Sequence, residues 1–187
     1  MPKTVFQVAT KAQLAALASP LRSDILDRLV AYGSLSVRDL AKALGRQPTA
    51  IYRHLKHLEK VGLIRAADSK SRGGEPGRPG RVYKPAGDQI RLTQAARRPE
   101  NRKLVEPVVR ATGKQAARDF IAALSNPNPR FTGSQRNHGF YRAVSAPSPK
   151  RLARINALLE ELIELTWSPD PNPGPVISFA WFLAPLE

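Results

Sequence analysis

Cysteine is absent from the 187 residues, which removes disulfides, thiolate metal sites and thiol nucleophiles together. Aromatic residues make up only 6% and histidines number three, so stacking cages and imidazole chemistry have few candidates. Acid is also scarce, with 15 Asp+Glu against 30 Lys+Arg and a net charge of +15. No apolar run approaches the roughly 18–20 residues of a membrane helix. The best, Val176–Leu186, is short and interrupted by Ser178 and Pro185. The first residues lack the apolar stretch and cleavage site of a signal peptide. A soluble, cytoplasmic chain is expected.

What is present is a core and a charge. At 42% hydrophobic residues the chain can bury a real interior. The positive excess favours polyanions, meaning nucleic acid or an anionic membrane surface. It is uneven: residues 1–100 hold 19 Lys+Arg and 8 Asp+Glu, whereas residues 101–187 hold 11 and 7. The polyanion signal therefore sits mainly in the first half.

That half reads as short helices followed by a hairpin. Thr10 is placed to cap a helix through Leu17. Ser19-Pro20 supplies an N-cap and an N1 proline for a helix carrying Leu21, Ile25, Leu26, Leu29 and Val30, which Gly33 ends. Ser36 opens a third helix with Asp39 three residues on, a capping-box arrangement, and a stripe of Val37, Leu40, Ala41 and Leu44. Gly45 closes it. Gln47 and Pro48 then start a helix over 48–61 with Ile51, Leu55 and Leu58 on one face. Two such helices around a glycine turn make a helix-turn-helix. The period next switches: Leu63–Ala67 and Arg81–Lys84 read as strands around a Gly/Pro/Arg loop. Strand, basic loop, strand makes a wing over 68–81.

On helix 48–61, Thr49, Arg53, Lys56 and Lys60 lie opposite the apolar stripe, flanked by Tyr52 and His57. Such a helix fits the major groove of double-stranded DNA, its first turns reaching base edges. Arg53 suits a guanine, Gln47 or Thr49 a base or phosphate, Ala50 a thymine methyl, and Lys56 a phosphate. His54 projects towards the core side and reads as a structural histidine; a His54/His57 metal site is not expected. From Ser69 to Arg81 the wing offers Lys70, Arg72, Arg78 and Arg81 against a single acid, Glu75. Gly77-Arg78-Pro79 resembles the centre of an AT-hook, which places an arginine in a narrow minor groove. Minor-groove or phosphate contact is the expected role of the wing.

Taken together, Leu17-Ala18-Ser19-Pro20-Leu21-Arg22, Leu35–Gly45, Ile51–Leu58 and Val61-Gly62-Leu63-Ile64 resemble the ArsR-type winged-helix transcriptional regulators over about 15–85. The resemblance implies a homodimer acting as a repressor or other regulator, with each recognition helix in a major groove. Metal-sensing members carry a thiolate pair where this chain has Ser36 and Arg38, so metal sensing of that kind is not implied. No cofactor is expected.

Residues 87–187 read as a long helix over Asn101–Leu124, broken by Asn126-Pro127-Asn128-Pro129, then a strand at Phe140–Ala146. An amphipathic helix over Pro149–Trp167, a Pro-rich loop at Ser168–Pro175 and a buried strand at Val176–Leu183 complete it. The extension resembles the helix-plus-strand tail of longer ArsR-like regulators. It is expected to complete a dimer interface, hold a small-molecule effector, or both. The fold expected overall is α+β and mainly helical, with a winged helix-turn-helix DNA-binding domain at 1–86 and a dimerisation extension at 87–187. Motifs of phosphate-binding loops, zinc proteases and serine hydrolases are missing from the sequence, and no enzymatic activity is expected. The expected function is sequence-specific DNA binding in a bacterial, nucleoid-associated setting. A nonspecific architectural DNA-binding protein is the alternative.

Overall fold

The first twelve described residues already use both devices that build this chain, a strand pairing across a long sequence gap and a helix capped by its own side chains. The computed structural model describes residues 4–67, 81–167 and 176–186, with only the backbone described at Trp167. It divides into two units, Met1–Ala116 with Ala180–Glu187, and Ala117–Phe179.

In the first unit, β1 (Val5–Gln7) leads into α1 (Lys11–Leu17). Thr10 Oγ1 accepts from Gln13 N at 3.2 Å while Gln13 Oε1 accepts from Thr10 N at 3.1 Å, a reciprocal capping box. The Gln13 amide then donates to Val61 O at 3.0 Å, so one polar side chain ties α1 to the far end of the helix-turn-helix. The next helix, α2 (Pro20–Tyr32), has proline in its first turn. Ser19 occupies the N-cap position but makes no side-chain cap bond. Its carbonyl accepts from Arg22 N and Ser23 N instead. The α2 side chains serve α1: Arg22 donates to Ala16 O and Ala15 O, and Ser23 Oγ to Leu17 O, covering carbonyls at the α1 C-terminus. Burial holds the Arg22 guanidinium below its ordinary pKa.

After β2 (Leu35–Ser36), α3 (Val37–Ala43) starts with Ser36 Oγ accepting from Asp39 N at 3.1 Å and donating to the Asp39 carboxylate at 2.7 Å. Gly33 and Gly45 take positive φ of 78° and 59° just beyond the ends of α2 and α3, a conformation that costs a residue with a Cβ. Then α4 (Pro48–Lys60) buries Ile51, Leu55 and Leu58 completely. They meet Ile25, Leu29, Leu40, Leu63 and Tyr83 in one core. Full burial of each such side chain is worth about 1.5–3 kcal/mol.

The wing strands are β3 (Ile64–Ala67) and β4 (Val82–Pro85). With β2 they form an antiparallel sheet of order β2-β4-β3, in register Leu35↔Tyr83 and Ala66↔Tyr83. A separate parallel pair joins β1 to β5 (Gln89–Arg91), Phe6 opposite Ile90. Short α5 (Thr93–Ala96) and a 3₁₀ turn follow. The first part of α6 (Arg102–Ala123) buries Val108 and Ala111. The fold is α+β, helix-dominated, with a helix-turn-helix followed by a two-stranded wing stem.

In the second unit the end of α6 passes into a loop held by His138, whose ring nitrogens lie 2.7 Å from Ala123 O and 2.6 Å from Asn137 Oδ1. Phe120 and Phe131 pack around that ring. The expected strand at Phe140–Ala146 does not form: no ladder among the described residues pairs the segment, and Phe140 and Tyr141 are 85% and 91% exposed. Phe140 packs edge-on against Phe120 instead, 5.7 Å between centroids. Val176–Leu183 is likewise neither a strand nor buried. Both segments have β-forming composition, but a strand needs a ladder partner, which composition does not supply. The amphipathic helix is present as expected: α7 spans Pro149–Trp167. Ser168–Pro175 lies outside the described residues.

Candidate nucleic-acid interface

Helix α4 is divided by its own periodicity. Residues at i, i+4 and i+7 face inward as Ile51, Leu55 and Leu58, so those between them must face out. Gln47, Thr49, Ala50, Tyr52, Arg53, Lys56 and His57 are all exposed, and Tyr52 retains 45% of its surface. One helix face thus gathers two fixed cations, an amide, a hydroxyl, a phenol, an imidazole and a methyl group. Gln47 stands at the N-cap position without a side-chain cap bond, so its amide is not spent on the helix start.

His54 lies between the two faces and is half-buried. Arg53 Nε donates to its Nε2 at 3.3 Å. Its pKa lies below the ordinary histidine value through burial first, then through the positive charges of Arg53 and Arg22 and the neighbouring His57. A neutral ring is what can accept from Arg53. The structural reading of His54 holds, and with it comes a role the sequence does not disclose, as an acceptor for the neighbouring arginine.

Arg81 sits at the foot of the wing. It donates to Glu59 on α4 at 3.0 Å and lies 5.4 Å from the centre of the Tyr83 ring, while its own side chain remains 54% exposed. Tyr83 is fully buried and its pKa raised, first by that burial. Arg81 therefore anchors β4 to the end of α4 as well as facing solvent. Lys70, Arg72 and Arg78 lie outside the described residues.

Sequence reasoning passed over Arg46. It is exposed in the turn immediately ahead of Gln47, and its N–H donates to Ala41 O at 2.8 Å, fixing the turn. A cation one residue before the N-cap was the available signal. Among the described residues no group of three or more His, Cys, Asp or Glu could hold a metal ion. None of the described helices is long and apolar enough to cross a membrane. A shallow groove in the first unit is lined by Ala96, Arg102, Val105, Glu106, Val109 and Arg110, with Arg110 bonded to Glu106 at 2.7 Å.

Comparison with known proteins agrees with this geometry where it is informative. Residues 17–66 match the family model of a helix-turn-helix domain, which spans α2, α3, α4 and most of β3 and supports a DNA-binding transcription regulator. A similar solved structure is the crystal structure of RV1404 from Mycobacterium tuberculosis, at 17% identity, covering 87% of this chain and 85% of that chain with a TM-score of 0.30. No curated protein matches the chain.

Proposed function

We propose, from the helix-turn-helix domain at residues 17–66, that this chain is a sequence-specific double-stranded DNA-binding regulator of the ArsR-like winged type. It acts as a homodimeric repressor on the bacterial nucleoid, in the cytoplasm. The observation that carries the reading is the exposed face of α4, where Arg53 and Lys56 share one side with Gln47, Thr49 and Ala50. Hydrogen-bonding groups and cations on one helix face suit base edges and phosphates together. Residues 1–86 carry DNA binding in this reading, with the wing on the minor groove or phosphates, and residues 87–187 carry dimerisation. The reading needs no enzymatic step, and a small-molecule effector is not assigned.

Selection of sites from randomised duplex DNA, at about 150 mM salt, tests it. A symmetric dimer should enrich an inverted repeat whose half-sites lie about 10–10.5 bp apart, or a multiple of that. Binding without an enriched motif would replace this reading with an architectural one, in which phosphate contacts carry the affinity.

A further inference from the structure

Helix α7 is amphipathic, yet the described part of the chain does not bury it. Leu152, Ile155, Leu158 and Leu165 remain 37%, 38%, 46% and 67% exposed, while Leu159, Leu162 and Ile163 are half-buried. A helix of 19 residues, about 28 Å long, draws most of its stability from covering such a face.

Its charges run against the helix dipole. Lys150, Arg151 and Arg154 lie in the N-terminal part and Glu160, Glu161 and Glu164 in the C-terminal part. There is no acid in the first turn and no base in the last. Cations near a helix N-terminus and anions near its C-terminus are each unfavourable by tenths of a kcal/mol, so helix stability does not account for the arrangement. An antiparallel partner does, because it brings the basic half of one helix beside the acidic half of the other.

The geometry points to α7 pairing antiparallel with α7 of a second copy of this chain, with Arg154 of each copy facing Glu161 of the other. Arg154 and Glu161 are seven residues apart, so they project within about 20° of each other and lie about 10 Å apart along the axis. They flank the exposed seam of Leu158 and Leu165. A twofold axis perpendicular to antiparallel helices brings like flanks together. Placed between Ala157 and Leu158, that axis sets Arg154 opposite Glu161 of the second copy, twice per dimer. Parallel pairing would instead set the basic half of each helix beside the basic half of the other, and would turn the Arg154/Glu161 flanks of the two copies to opposite sides of the pair. The other occupants fit less well: Glu160, Glu161 and Glu164 would meet phosphate repulsion at DNA or at an anionic lipid surface.

This inference rests on the homodimer reading and names its element and orientation. Sedimentation of the full chain reports whether a dimer exists. The chain has no native cysteine, so Arg154→Cys and Glu161→Cys proteins can then be oxidised separately and as a mixture, with circular dichroism checking that each is folded. Disulfides form only where Cα atoms approach within about 7 Å. The mixture should give a disulfide-linked dimer and neither protein alone should. Linking by either variant alone would show that like residues meet across the pair, which this register forbids, and would overturn the proposal. A dimer whose mixture fails to link would leave the homodimer standing and remove α7 from its interface in this register. A monomer would remove the homodimer reading itself. As a second readout, Arg154→Glu and Glu161→Arg should each weaken dimerisation roughly tenfold at low salt, and their combination should restore it.

Discussion

Arg53 Nε and His54 Nε2 are donor and acceptor at 3.3 Å, a bond between sequence neighbours at the border of the buried and exposed faces of α4. Using Nε in this way orients the guanidinium while its terminal nitrogens stay on the exposed face, the atoms that bind guanine O6 and N7 as a pair. Arg53→Ala should cost about 1–3 kcal/mol at one base position and relax specificity there, measured as the affinity ratio between the preferred operator and its single-base variants. A uniform loss across all sequences would assign Arg53 to phosphates.

The burial of the same histidine gives stability a pH dependence. His54 has a lowered pKa in the folded chain, chiefly from burial, so the unfolded chain binds the proton more readily. Stability from this group is present in full above the ordinary histidine value of 6.5. It falls as pH drops from there towards the lowered folded value. His54→Gln, whose amide oxygen can still accept from Arg53, should flatten that part of the curve. Denaturant midpoints measured across pH 4–8 on both proteins check it, and equal slopes would remove His54 as the source.

Glu59 holds Arg81 at 3.0 Å, which takes one wing-stem cation partly out of reach of DNA. Glu59→Gln should lower stability by less than about 1 kcal/mol, because the pair is partly solvated. It should also free Arg81 for a phosphate, steepening the salt dependence of binding by about one unit in the log–log slope. Salt titrations of the two proteins on one duplex read this directly. An unchanged slope would make Arg81 a structural residue alone.

How much of this was legible in the sequence follows from how local each cause is. The Thr10 cap, the Ile51/Leu55/Leu58 stripe and the bounds of α7 are set by neighbours within one or two turns, and all three read correctly; the Gln13 half of the Thr10 box was not read. The pairing of β1 with β5 joins residues 84 apart, Thr4 and Asp88 among them, and neither strand carries a local signal that names the other. β2 is two residues long and ends on Ser36, whose capping signature masks its pairing with Val82. At Phe140–Ala146 and Val176–Leu183 β-forming side chains were present without a ladder partner, and propensity misled. Within the interface, the exposed face of α4 came from its period, whereas the bond between Arg81 and Glu59 crosses 22 residues and did not.

Gly87 is where that long-range pairing can be tested. Its φ is unremarkable, but a Cβ there would lie 2.8 Å from Thr4 O and 2.9 Å from Phe6 Cβ and N. Two of those three neighbours are backbone atoms, held in place by the bonds from Thr4 N and Thr4 Oγ1 to the Asp88 carboxylate, both 2.9 Å. The strands must therefore separate to admit a methyl group, which loosens the register of Val5 on Gln89. Gly87→Ala should destabilise by about 1–3 kcal/mol through overpacking, seen as a lower Tm. The change lies outside the helix-turn-helix, so operator specificity at temperatures where the variant is folded should be preserved. An unchanged Tm would mean that β1 does not dock against the segment leading into β5 in solution.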